Sequence, residues 1–128
     1  MKLNPNPMNK IIQLFSLFLF FLFSACRGVN CDQLPKHFSS YQDAEEKIKA
    51  THFKLEESVN TSKSSWVRGA SFYSCDETVG FFILKTDNQD YLYSGVPMEI
   101  WEGFKNADSF GSYYDHNIKD KYSFNFNQ

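Results

Sequence analysis

The stretch that most constrains the fold is 79–86, with the sequence VGFFILKT. Apolar side chains occupy both of its alternating faces, so neither face is expected to meet water. A strand of this kind belongs in the middle of a sheet that has other elements packed on each side. The segments SCDET before it and DNQD after it have the composition of turns, which favours short hairpins to neighbouring strands.

Further segments predict the rest of the sheet and its helices. The four predicted strands are 53–59, 66–73, 79–86 and 91–94. Ser40 suits the start of a helix that ends near Ala50. Gly95 is expected to break the last strand so that Pro97 begins a second helix, in which Gly103 permits close packing on the sheet. With a short helical segment after it, the chain is expected to be α+β: a small antiparallel β-meander of about four strands, packed with an N-terminal helix and C-terminal helices.

The N-terminus has the features of an export signal. Lys2 and Lys10 flank the start of the apolar run 11–23, IIQLFSLFLFFLF, which is too short to span a bilayer comfortably. The small residues after it and Cys26 resemble the lipobox of bacterial lipoproteins, although Phe23 replaces the usual Leu. This resemblance implies cleavage before Cys26, lipidation of Cys26 and a lipid-anchored protein of the cell envelope, at the outer membrane or the periplasmic face. The alternative is an ordinary secretory signal cut nearby.

Removal of this segment makes the chain more acidic. Residues 1–25 are then the signal peptide and residues 26–38 a lipidated tether, which leaves one domain's length. Without Lys2 and Lys10, 11 of the 13 basic residues remain against 15 acidic ones, so the net charge falls to about −4. Together with the absence of a long basic run in the sequence, this charge makes nucleic acid an unfavourable partner.

Cys31 and Cys75 remain once Cys26 is assigned to lipid. An exported protein meets conditions that permit oxidation, so these two cysteines are expected to form a disulfide bond. The bond ties the start of the domain to the region around Tyr73. The alternative is a free thiol at Cys75 with a thiol-dependent activity, although nothing in the sequence indicates a base for it.

The second half of the chain resembles a known family. The motifs that carry the resemblance are Tyr91-x-Tyr93, Val96-Pro97, Ala107-x-Ser109-x-Gly111-x-Tyr113, and Ile118-Lys119 with Tyr122. On these motifs residues 63–122 resemble the KTSC domain, a module named for the C-terminus of some lysyl-tRNA synthetases. Residues 39–62 are then an N-terminal helix-strand extension and residues 63–128 the KTSC-like domain. The resemblance implies no established activity; an RNA-binding role has been suggested for the family, and the export signal and acidic charge of this chain argue against it.

Aromatic residues are the feature that favours a binding surface. The candidate surface consists of Tyr91, Tyr93, Phe110, Tyr113 and Tyr114. The first two share a strand face, where they either stack a ligand or pack under a helix as core. The other three lie in SFGSYYDHN, a loop-like segment that either anchors a partner or packs on itself.

The sequence holds no pattern that predicts catalysis. The three histidines His37, His52 and His116 lack metal-ligand spacing, and Glu99 with Glu102 reads as a solvated helix face. No nucleophile elbow, P-loop or HExxH motif occurs. We therefore expect a non-catalytic binding module without metal or cofactor, which contacts the membrane through its lipid and binds an unknown protein or cell-envelope ligand.

Overall fold

The computed structural model describes residues 29–124. The predicted signal peptide, Cys26 and the first residues of the tether lie outside this range. The elements in chain order are β1 (Val29–Asn30), a 3₁₀ turn (Cys31–Gln33), α1 (Tyr41–Ala50), β2 (Thr51–His52), β3 (Leu55–Val59), β4 (Gly69–Ser74), β5 (Val79–Lys85), β6 (Asp90–Pro97), α2 (Met98–Lys105) and α3 (Phe110–Asn117).

Strands β3 to β6 form one antiparallel sheet in the order β3-β4-β5-β6. The strand that the sequence places in the interior, β5, pairs with β4 on one side and β6 on the other. A short parallel pair of β1 and β2 lies apart from this sheet. The α+β meander with one helix before it and helices after it is confirmed.

Both faces of the sheet are covered, as the apolar β5 requires. One face packs on α2 and α3, where Phe82 of β5 is buried against Trp101 and Phe104. Its neighbour Ile83 points to the other face and is buried in a second cluster with Ile48 of α1. Adjacent residues of one strand point to opposite faces, so the apolar run 81–84 of β5 contributes to both clusters.

The sheet has two ends that matter for function. At the disulfide end, Leu55 pairs with Ser74 and Val79 with Pro97. At the turn end, the opposite end of the same strands, Gly69 pairs with Lys85. The seven residues of β5 run between them, a distance of roughly 20 Å at about 3.4 Å per residue.

A disulfide bond joins Cys31 to Cys75, with 5.8 Å between their Cα atoms. The predicted pairing is confirmed. Because Cys75 follows directly after β4, the bond fixes the N-terminal segment at the disulfide end of the sheet. A bonded Cys75 has no free thiol, so the structure gives no support to the thiol-dependent alternative.

Three local expectations are wrong. Gly95 does not end the last strand: its φ of +66° forms a bulge, and β6 continues to Pro97, after which α2 begins at Met98. The predicted strand 53–59 is interrupted, so that only Leu55–Val59 joins the main sheet. Gly103 faces α3 rather than the sheet, since a Cβ there would lie 2.1 Å from the hydroxyl oxygen of Tyr113.

Candidate functional site

Tyr91 and Tyr93 lie on the same face of β6, as the sequence predicts, and both are half-buried. Their face packs against α3, where the hydroxyl groups of Tyr93 and Tyr114 share a hydrogen bond. Burial raises the pKa of both Tyr93 and Tyr114. Of the two alternatives left open by the sequence, packing against the core describes these rings better than an open stacking platform.

The segment SFGSYYDHN contains helix α3, the short helical segment that the sequence predicts after α2. Of the two alternatives for its aromatic rings, packing on the protein itself describes Phe110 and Tyr114 better than a loop that anchors a partner. Ser109 caps the helix, its hydroxyl accepting a hydrogen bond from the backbone N–H of Ser112 at 3.2 Å. Phe110 and Tyr114, four residues apart, face the sheet and are only 3% and 4% exposed. Tyr113 is half-buried beside α2.

Trp66, the first residue of the predicted strand 66–73, is exposed and lies outside the sheet. It lies in the connection before β4, beyond the turn end of the sheet, and is 37% exposed. The chain bends there because the hydroxyl of Ser64 accepts a hydrogen bond from the backbone N–H of Val67 at 3.1 Å. Strand β4 therefore begins at Gly69, three residues after its predicted start at Trp66.

The indole of Trp66 is held by α3. It meets the ring of Tyr114 edge to face, with 5.8 Å between the ring centroids. Its Nε1 lies over Gly111, where a Cβ would approach this nitrogen to 2.5 Å. The absence of a side chain at Gly111 is thus what lets the indole rest on the helix.

Two clefts share Trp66 and Asp115 in their lining. The first, here called the turn cleft, is about 270 Å³ and is lined by Trp66, Tyr91, Asn88, Asp115 and Lys119, among others. The second, here called the helix cleft, is about 480 Å³. Its lining includes Lys63, Trp66, Ser109 and His116.

The charged groups of the turn cleft differ in how far they are already engaged. Asp87 receives two hydrogen bonds from the Arg68 guanidinium, at 2.7 and 3.0 Å, and this contact lowers the pKa of Asp87. Asp115 and Lys119 are exposed, and within residues 29–124 neither side chain makes a hydrogen bond or ion pair. These two groups are therefore available to a ligand.

In the helix cleft the polar groups are mostly bound to the protein itself. Lys63 donates a hydrogen bond of 2.6 Å to the carbonyl of Ala107, and its ammonium lies 4.4 Å from the centre of the Phe110 ring. The Nδ1 of His116 is 2.7 Å from the carbonyl oxygen of Ser112. Asp108 and Asp115 also line the helix cleft and are exposed. The helix cleft is larger, and the turn cleft differs from it in holding an exposed cation, Lys119, whose side chain makes no hydrogen bond or ion pair within residues 29–124.

In the stretch 29–124, His, Cys, Asp and Glu side chains form no group of three or more that could hold a metal ion. No helix in that stretch combines the length and apolar character needed to cross a membrane.

The fold and the clefts together define a small three-layer α+β module with an exposed aromatic residue at one end of its sheet. Comparison with family models identifies the class more closely: residues 84–122, from the end of β5 through α3, match the KTSC domain. The match confirms the resemblance to the KTSC domain, over a shorter range than 63–122. Comparison with curated proteins and with solved structures gave no match.

The KTSC match covers only some of the residues that line the two clefts. Tyr91, Asp115 and Lys119 lie within the KTSC segment, whereas Trp66 and Lys63 precede it. No sequence motif marks Trp66. Its spacing from Ala70 and Phe72 fits the period of two of a strand, and this pattern is the same whether the indole is buried in the sheet or exposed beside it. The Ser-rich connection directly before Trp66 is the signal that could have placed it in a turn.

Proposed function

We propose that this protein is a lipid-anchored component of the cell envelope that presents a non-catalytic binding module, and that its ligand binds at the clefts beside Trp66. The observation that carries the proposal is the Trp66 indole, which is exposed yet held in place by Gly111 and Tyr114 between two clefts. An aromatic group that is already fixed before binding loses little conformational entropy when a ligand arrives. Clefts with a few converging polar groups are the usual form of small-molecule sites.

The anchor comes from the lipobox-like sequence that ends in Cys26. Four residues lie between Cys26 and Cys31, so the two Cα atoms are roughly 18 Å apart at most. Because Cys31 is bonded to Cys75, which follows β4, Cys31 lies at the disulfide end of the sheet, and a lipid on Cys26 would be within this short distance of that end. Trp66 lies beyond the opposite end, and a lipid on Cys26 therefore directs the clefts away from the membrane.

RNA binding, the alternative that the KTSC resemblance raises, has less support at this site. Asp87, Asp108 and Asp115 line the two clefts, against Lys63 and Lys119. Most of the binding energy of nucleic acids comes from cations that neutralise phosphates, and this balance of charges opposes it.

Site-specific photo-crosslinking in cells tests the binding module. A photoreactive side chain at Asn88, which is exposed in the turn cleft, is expected to give a defined adduct. The matched control is the same side chain at Glu46, which is exposed on α1 and lies outside the clefts. Equal adducts at both positions, or none at Asn88, contradict a binding site beside Trp66.

The anchor and the lack of catalysis are tested separately. Cys26→Ser is expected to release the protein from the membrane fraction and to abolish metabolic labelling with palmitate; retention in that fraction contradicts the lipid anchor.

A broad hydrolase screen of the purified protein is expected to show no turnover. Turnover that disappears in His116→Ala would show that the module is an enzyme.

A further inference from the structure

We propose that the turn cleft binds a saccharide, with one pyranose ring stacked on the exposed indole of Trp66. This inference rests on the proposed function, because it names the ligand class of the same site. It follows from the combination of an exposed aromatic ring with polar groups around it, rather than from either feature alone.

A pyranose ring has two kinds of surface. One of its faces carries several C–H groups, whose slight positive charge is attracted to the negative face of an aromatic ring. Its rim carries hydroxyl groups that need hydrogen-bond donors and acceptors when they leave water. A site for a saccharide therefore needs an exposed, immobile aromatic ring with polar side chains at its edge.

The turn cleft supplies both. Trp66 is the exposed ring, and the half-buried ring of Tyr91 lines the same cleft. Asp115 offers an acceptor, Lys119 a donor and the exposed amide of Asn88 both. A hydroxyl group can accept from Lys119 and donate to Asp115 at the same time, which a purely apolar ligand cannot do.

The volume and the charge of the turn cleft limit the class of ligand further. The cleft of about 270 Å³ is close to the lower limit of roughly 300 Å³ that is common for small-molecule sites, so it suits one or two sugar rings. A stacked nucleobase would use the same indole, but its phosphates would approach the carboxylates of Asp87 and Asp115. An uncharged saccharide meets no such repulsion.

The chain contains two tryptophans, which makes the test direct. Trp101 is fully buried, whereas Trp66 lines the cleft, so their two indole N–H resonances report on different places. The mature protein is titrated with chitotriose, cellotriose and an eight-nucleotide single-stranded RNA. We expect a saturable shift of the Trp66 resonance with at least one saccharide, while the Trp101 resonance stays in place.

Variants identify the contacts. Trp66→Ala is expected to lower the affinity at least about tenfold, and Asp115→Asn, which removes a charged acceptor, by about three- to tenfold. Asp120→Asn is the matched control: Asp120 is exposed just after α3, does not line the turn cleft, and its variant is expected to bind as the native chain does. If Trp66→Ala disturbs the packing around Gly111, Asp115→Asn still tests whether the ligand binds in the turn cleft.

The outcomes separate this inference from the proposed function. Absence of a Trp66 shift with both saccharides at about 20 mM overturns the saccharide. So does an affinity, measured by calorimetry, that Asp115→Asn and Trp66→Ala both leave unchanged. A shift with the RNA alone also overturns it and favours the nucleic-acid alternative. If the crosslink at Asn88 forms in cells while saccharides fail, the ligand class is wrong and the binding module stands; if neither occurs, both are wrong.

Discussion

The indole Nε1 of Trp101 donates a hydrogen bond of 2.6 Å to the carboxylate of Glu57. Lys105 donates to the same carboxylate oxygen at 2.7 Å, and its contact lowers the pKa of Glu57. Trp101 and Lys105 belong to the KTSC segment, whereas Glu57 lies on β3, in the extension that the resemblance does not cover. The two parts are therefore joined through a charged hydrogen-bond network as well as through the sheet.

We expect Glu57→Gln to lower the free energy of unfolding by about 1 kcal/mol at pH 7, because the Trp101 indole and the Lys105 ammonium lose a charged acceptor. The effect is moderate because Glu57 and Lys105 are partly open to solvent. Urea unfolding measures it, with Glu46→Gln on the exposed side of α1 as the control. An equal loss in both variants contradicts a specific role for the network.

The same contact predicts a pH dependence. A carboxyl group whose pKa is lowered in the folded state stabilises the fold above its unfolded pKa, near 4.5, and this contribution is lost as the pH falls through the lower folded value. The difference in stability between the native chain and Glu57→Gln is thus expected to shrink between pH 5 and strongly acid pH. A difference that stays constant over this range contradicts the assignment.

The disulfide bond is expected to be a main source of stability. In the loop-entropy description, a closed ring of about 45 residues contributes about 4 kcal/mol. The double variant Cys31→Ser/Cys75→Ser is therefore expected to unfold at a clearly lower urea concentration, and reductant should reproduce this shift in the native chain. Intact mass should rise by about 2 Da on reduction. Unchanged mass means that the bond does not form.

The sheet and the disulfide could be predicted because few other arrangements fit the sequence. A strand that is apolar on both faces, such as β5, fits only the interior of a covered sheet. Cys31 and Cys75 have a single intramolecular pairing once Cys26 is assigned to lipid. In each case only one arrangement fits: the apolar side chains of β5 must be buried on both faces, and the two cysteines can pair only with each other.

The surface around Trp66 could not be predicted in the same way, since it depends on contacts distant in sequence. The position of the indole is set by Gly111, more than forty residues later. The bulge at Gly95 arises where β6 places two residues opposite one of β5. The sequence predicts the short helix α3, but not which of its aromatic rings are buried, because they become buried only when the helix packs on the sheet.

The hydroxyl pair of Tyr93 and Tyr114 predicts a non-additive effect of two substitutions. Tyr93→Phe leaves the buried Tyr114 hydroxyl without this partner and is expected to cost about 1–3 kcal/mol. The double variant Tyr93→Phe/Tyr114→Phe should cost less than the sum of the single changes by about 1 kcal/mol, measured by urea unfolding. Tyr73→Phe, on the other face of the sheet, is the control. Additive effects contradict a direct hydrogen bond.

Gly111 and Trp66 give the last prediction. Alanine at Gly111 places a Cβ 2.5 Å from the indole nitrogen, so Gly111→Ala is expected to displace Trp66 and lower the free energy of unfolding by about 1–3 kcal/mol. In the Trp66→Ala background the clash is removed, and the same change becomes neutral or stabilising by up to about 1 kcal/mol, since alanine favours helix over glycine. Urea unfolding of the four chains measures this coupling. The Trp66 indole N–H resonance should move in Gly111→Ala, and saccharide affinity should fall with it. A destabilisation of equal size in both backgrounds contradicts the contact and shows that Gly111 is needed for another reason.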